Sequence, residues 1–259
     1  MTNTLERIPD KTVALSFDDG CLSDLTVVAP MLRELGFGGT FYVSDAFYRL
    51  AGGKAENYVS WDQAKELEEM GFEIGNHGGG HLDCSNLART QLIEEVEYVE
   101  EKCREHGIAH PVTFAYPGYA YGPEIVAVLK EKGYHFARRG PWPEFPRETR
   151  RGPAYDPKVH DPLLVPTTGG PGPGWEMKDL IWLVEQARDG KIAVLNFHGV
   201  PDVEHPWVHT DPEAFREQMR YLRQAGCTVI SIRDLGRFVG REFTAENAES
   251  AESAERRRH

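Results

Sequence analysis

The stretch Thr12-Val13-Ala14-Leu15-Ser16-Phe17-Asp18-Asp19-Gly20 begins as an apolar run and ends in two adjacent carboxylates and a glycine. It reads as a buried strand emptying into a loop. Strand side chains alternate, so Asp18 and Asp19 are expected to project in roughly opposite directions, one free to hold a metal and the other to face a substrate. Asp-Gly after a strand is also an ordinary turn signal, so the features downstream decide its meaning.

Strand-like and helix-like segments alternate on either side of that reading. Strands are predicted at 12–17, 39–43, 72–75, 112–115, 134–137, 192–197 and 228–232, with helices at 25–35, 61–70, 90–105, 123–132, 178–188 and 212–225. Ser60 is the expected N-cap of the second helix. Helices that stop at Gly36, Gly71, Gly133 and Gly226, each followed by an apolar strand, carry the left-handed C-cap that turns the chain back. About seven β-α units without a composition break predict an α/β fold, one parallel barrel-like domain over residues 1–243. Residues 244–259 lack apolar anchors and are expected to form a disordered tail. The Pro- and Gly-rich stretch 140–174 interrupts the alternation and reads equally as a functional lid or an ordered surface excursion.

The 259 residues are 40% hydrophobic and 27% charged, enough for a sizeable core. A formal net charge of -12 argues against nucleic-acid or anionic-membrane partners. Cys21, Cys84, Cys103 and Cys227 are scattered and form no CxxC pair, which fits reduced thiols, with Cys84 structural despite its closeness to His81. Residues 1–11 carry no apolar signal core, and no run approaches the roughly 18 apolar residues of a membrane span. A cytoplasmic location is therefore expected, and the oligomeric state stays open.

Three further motifs leave predicted strands. Asn76-His77-Gly78-Gly79-Gly80-His81 places two imidazoles four residues apart in a glycine loop that can fold tightly around a metal. Thr113-Phe114-Ala115-Tyr116-Pro117-Gly118 offers backbone N–H groups to a reacting carbonyl. Leu195-Asn196-Phe197-His198-Gly199 ends a strand in a histidine suited to general acid work. All of these sit at C-terminal strand ends, where barrel active sites gather.

In order and spacing these motifs resemble those of the polysaccharide deacetylases, also called NodB-homology proteins or carbohydrate esterase family four, from about residue 12 to 235. The resemblance implies a distorted (β/α) barrel of about seven strands and metal-dependent hydrolysis of N-acetyl groups on amino sugars. It implies Asp18 as general base, Asp19, His77 and His81 as metal ligands, His198 as the acid that protonates the leaving amine, and the Gly118 N–H as the group that polarises the acetyl carbonyl. Two histidines and a carboxylate suit zinc, while nickel, cobalt and iron accept similar ligands.

This chain departs from the family pattern at several positions. Gly78 stands where Ser or Thr usually braces the metal loop, and Ala115 replaces the usual arginine that orients the base. Arg138 or Arg139, at the end of the next strand, is the candidate substitute. The family's usual Asp and Trp are not evident around residues 139–142, and Asn196 stands in place of a leucine. These changes keep a second enzyme reading open, a cytoplasmic hydrolase of a small cyclic amide or ureide, and a third, an inactive carbohydrate-binding domain. Trp207, His205 and His209 read as an acetyl-group wall or a packed surface loop, and Trp142 and Trp175 as sugar-stacking or structural. Tyr155 and His160 have only their location to recommend them, and His106, His110 and His135 read as structural.

Overall fold

The computed structural model describes residues 5–46 and 55–239; the tail expected at 244–259 lies outside them. Among the described residues eight strands form one sheet: β1 (Thr12–Phe17), β2 (Thr40–Val43), β3 (Glu73–Asn76), β4 (Thr113–Ala115), β5 (Phe136–Arg139), β6 (Val165–Pro166), β7 (Ala193–Phe197) and β8 (Thr228–Ile230). The order β6-β5-β4-β3-β2-β1-β7 puts seven parallel strands around a nearly closed barrel, and β8 pairs with the first half of β1. This is the distorted (β/α) barrel expected from the sequence.

Closure comes from the Pro- and Gly-rich stretch. After β6 pairs with β5, Thr168 N–H donates to Val194 C=O at 2.8 Å and Asn196 N–H to Gly169 C=O at 2.9 Å. Tyr155 also bridges Ile192. Of the two readings of residues 140–174, the structure therefore supports an ordered excursion, one that supplies a barrel strand. A two-residue strand containing Pro166 has no periodicity to betray it.

Helices α1 (Ala29–Leu35), α2 (Trp61–Glu69), α3 (Arg89–Glu105), α4 (Pro123–Glu131), α5 (Met177–Gln186) and α6 (Pro212–Gln224) pack outside. Ser60 caps α2 in a reciprocal capping box with Gln63. The four predicted C-cap glycines all have positive φ, between 67° and 101°.

Alternation along the strands sorts two cores. Outward Val13, Leu15 and Phe17 of β1 pack with Leu32, Phe215 and Met219 of the helices. Inward Ala14, Tyr42, Ala115, Phe136, Val165 and Val194 fill the barrel. Gly75 belongs to the inner face because a Cβ there would lie 2.4 Å from the Tyr42 ring. One further step towards the C-terminal ends, the same inward alternation delivers Ser16, Arg138 and Asn196, all buried. The apolar barrel thus carries a polar top, and the site is built there.

Candidate active site

Asp18 and Asp19 follow β1 directly, and Asp18 N–H donates to Phe197 C=O at 3.0 Å. The two carboxylates do not diverge as the strand period predicts. Asp19 has φ 76°, a left-handed conformation that breaks the alternation. Both then approach His198, whose Nε2 lies 3.9 Å from Asp18 Oδ2 and 4.0 Å from Asp19 Oδ2. Phe17 and Phe197 are register partners, so the residues after them meet at the barrel mouth.

The arginine that orients Asp18 is Arg138. Its Nη2 donates to Asp18 Oδ1 at 2.7 Å and Oδ2 at 2.6 Å. Ala115 and Arg138 are register partners on adjacent strands and share the inward face, so a guanidinium from either strand reaches the same place. Strand β5 runs to Arg139, two residues beyond the predicted end, which sets Arg138 inside the barrel. Arg139 points elsewhere, to Glu144 and the carbonyls of Gly140 and Trp142. The Arg138 guanidinium also lies 5.7 Å from the Tyr42 ring centroid and 5.3 Å from that of Tyr119.

Asn196 and Tyr119 complete this arrangement, and sequence reading missed both roles. Asn196 Nδ2 donates to Asp18 Oδ2 at 3.0 Å and to Tyr119 Oη at 2.9 Å. An ionised carboxylate only accepts, so the amide nitrogen must face it. Ser16 Oγ, 3.1 Å from Asn196 Oδ1, fixes the opposite end of the amide. Tyr119 gets its inward aim from an unusual backbone, φ 62°. Asp19, His81 and Tyr119 all hold positive φ, a strain that concentrates at functional sites. The signal that could have found Asn196 is its parity with Val194, an inward polar residue one step above an apolar one.

The glycine loop folds without helix, as its composition predicts. His77 Nδ1 sits 2.7 Å from the Ala115 C=O; the proton must be on Nδ1 to bridge them, which leaves Nε2 for Asp19. His77 Nε2 and His81 Nε2 each lie 3.4 Å from Asp19 Oδ1. Donors that far apart match two ligands held at about 2.0–2.1 Å on a tetrahedral ion. Asp19 Oδ1 is buried and has no hydrogen-bond donor among the described residues. One carboxylate and two imidazoles around an orphaned oxygen fit a divalent metal.

Bracing of the loop does not depend on a hydroxyl at Gly78. Helix α3 provides it: Gly79 N–H donates to Glu95 C=O at 3.0 Å and Gly80 N–H to Glu95 Oε2 at 2.8 Å. Gly78 N–H meets Asn76 Oδ1 at 2.8 Å. A Cβ at Gly79 would lie 2.8 Å from the Tyr98 ring, so the loop depends on that hydrogen for its close approach.

Electrostatics keep the carboxylates ionised. Burial pushes Asp18 up, but Arg138, then His77 and His198, overcome it and hold the carboxyl below its ordinary value. Asp19 is likewise pushed up by burial and held below its ordinary value by His77, His198 and His81. Burial lowers His77, yet the carboxylates of Asp18 and Asp19 raise it overall. His81 is pushed down to about 4 by burial and by its neighbour His77.

Other sequence candidates fall into place. Gly118 is exposed in the turn after β4, with open space where a side chain would stand, and Tyr119 beside it reaches the site. Trp142 packs edge-on against Tyr119 at 5.2 Å, while Trp207 is 63% exposed. Cys84 is buried, with its thiol towards Leu82 C=O and outside the metal-type group. Among the described residues no helix is long and apolar enough to cross a membrane.

The sequence profile described as polysaccharide deacetylase matches residues 6–137. A peptidoglycan-N-acetylglucosamine deacetylase of Bacillus cereus is 28% identical over 142 residues, 54% of this chain and 61% of that protein. The chain spans about 43% to 61% of the length of the first curated relatives it matches. A family 4 acetyl xylan esterase from Clostridium thermocellum, solved with a cobalt ion, superposes with TM-score 0.57 at 18% identity, covering 90% of this chain and 94% of that one. A family 4 pseudoenzyme from Bacillus anthracis gives 0.58 at 15% identity, covering 91% and 69%. These structural likenesses concern the fold; the profile match spans half the sequence and ends within β5, one residue short of Arg138. The chain belongs to the polysaccharide deacetylase family.

Proposed function

We propose that this protein is a metal-dependent amide hydrolase that removes N-acetyl groups from an amino sugar or polysaccharide. The observation that carries the reading is the placement of Asp18, fixed by Arg138 and Asn196, beside both the Asp19–His77–His81 group and His198.

Asp19, His77 and His81 would hold the ion, which when bound offers Lewis acidity to the acetyl group and lowers the pKa of water. Asp18 takes the proton of the attacking water, and its Arg138 contact keeps it ionised and ready to accept. His198 Nε2, too far from either carboxylate to be tied up in a hydrogen bond, donates a proton to the departing nitrogen as the C–N bond breaks. Acetate and a free amine result. The exposed Gly118 N–H is the proposed donor to the developing oxyanion. Tyr119 and Trp142 form an aromatic wall next to Asp18 on which a sugar or acetyl group can rest.

The test is acetate release from an N-acetylglucosamine oligomer by the zinc- or cobalt-loaded protein, with Asp18→Asn as control. Release by the wild type and its loss in the variant is expected. Hydrolysis of a small cyclic amide instead would move the substrate class, and an Asp18→Asn variant as fast as wild type would refute the mechanism.

A further inference from the structure

Asp19 belongs to two groups of ligand-type atoms. The first is the centre with His77 and His81; the second joins Asp19 to Asp202 and His205, with donor atoms all within 4.8 Å of one another. Asp202 and His205 come from the connection between β7 and α6, and nothing in the proposed hydrolysis uses them.

Asp202 is 5% exposed and locally fixed. Its Oδ1 accepts the N–H groups of Glu204 at 3.1 Å and His205 at 2.7 Å. That turn leaves Oδ2 3.5 Å from His205 Nδ1 and 3.9 Å from the Cys21 thiol. The His205 side chain is 20% exposed, which gives an ion a way in.

Asp24 is a second, independent observation. It is fully buried, and neither carboxylate oxygen finds a hydrogen-bond partner among the described residues. Its N–H donates to the Cys21 C=O at 2.9 Å, and the Cys21 thiol lies 3.9 Å from Asp202 Oδ2, so the chain around Asp24 borders this same corner. Asp24, like Asp18, Asp19 and Asp202, is buried in the segments that leave β1 and β7. Among the described residues, the ion pairs made to them come from Arg138, on Asp18, and from histidines. Carboxylate oxygen and imidazole donors held together in a buried corner suit a divalent cation.

We propose that Asp19, Asp202 and His205 bind a second divalent cation, sharing the Asp19 carboxylate with the His77–His81 centre. Two carboxylates and an imidazole suit zinc, cobalt or manganese. A shared carboxylate is one way two ions are held close enough to act on one substrate. The inference rests on the metal reading of the first centre for the pairing, while Asp202 and His205 lie outside that centre's ligand set.

The experiment counts zinc bound to the full chain after chelator stripping and dialysis against excess zinc, by elemental analysis. Two ions per chain are expected for the wild type and one each for Asp202→Asn, His205→Ala and His77→Ala. His205 is partly exposed, so His205→Ala decides the matter if Asp202→Asn fails to fold. A wild type with a single zinc that survives His205→Ala and disappears in His77→Ala overturns the proposal. A single zinc lost in His205→Ala but kept in His77→Ala supports the second site and overturns the first centre instead. No bound zinc in the wild type overturns both.

Discussion

Arg138 and Asp18 meet inside the barrel as a fully buried ion pair, with one guanidinium nitrogen 2.7 and 2.6 Å from the two carboxylate oxygens. The pair links β5 to the end of β1 across the barrel mouth, and it stands in for an arginine absent from Ala115. Its chemistry is transferable between strands because both positions face inward in the same register.

Arg138→Met strands Asp18 as an unpaired buried charge. Loss of one partner of such a pair costs about 3–5 kcal/mol of stability. Burial then loses its largest opponent, with His77 and His198 remaining, so the Asp18 pKa rises and the acid limb of kcat/KM moves to higher pH. Chemical denaturation and a pH–rate profile check both. In the wild type the Asp18 pKa lies below its ordinary value. The stability it contributes is full above about pH 4 and disappears as pH falls through the depressed value. Adding Asp18→Asn to Arg138→Met should recover stability without recovering activity.

Asn196→Leu, which installs the family's more usual residue, removes the hydrogen bonds to Asp18 and Tyr119. A hydrogen bond to a charged group contributes about 1.5–3 kcal/mol, so kcat/KM should fall by about 10- to 100-fold. Tyr119→Phe should cost less, because it leaves the Asn196–Asp18 bond in place. Steady-state kinetics on one N-acetylated oligomer ranks the two.

Gly79→Ala drives a methyl group into the Tyr98 ring and pushes the loop that carries His81 away from Asp19. Weaker zinc binding is expected, measurable by competition with a chromophoric chelator. Adding Tyr98→Ala opens the space and should restore affinity in part. A Gly79→Ala protein with unchanged affinity would show that the close approach to Tyr98 does not position the ligand.

Chelation of the metal should abolish hydrolysis reversibly and lower Tm, since an ion at about 100 times its Kd stabilises the fold by about 2.7 kcal/mol. Protons compete for the same nitrogens. The raised pKa of His77 makes its protonation the competing event, so affinity weakens as pH falls from neutrality, whereas His81, near 4, stays neutral over that range. Zinc titrations at several pH values give the slope, and an affinity independent of pH would contradict it.

Most of the fold was legible because its elements are locally encoded. Ser60 with Gln63 caps a helix through residues three apart, and Gly36, Gly71, Gly133 and Gly226 close helices through their own φ. Strand β6 was not legible, because two residues with a proline pair only through distant partners on β5. The five expected side chains of the site, Asp18, Asp19, His77, His81 and His198, come together as the motifs imply. The roles of Tyr119 and Asn196 were not legible because their contacts join β1, β7 and the turn after β4.

The sequence by itself determined the alternation of strands and helices, the ligand types and the order in which they arrive, since those follow from composition and short-range periodicity. It left the orientation of the base open between Arg138 and Arg139, and it predicted divergent carboxylates at Asp18 and Asp19. Tertiary structure decided both. Barrel register selects which arginine faces inward, and the left-handed turn at Asp19 brings two neighbouring carboxylates to one pocket, a choice that only packing against β7 and the glycine loop can enforce.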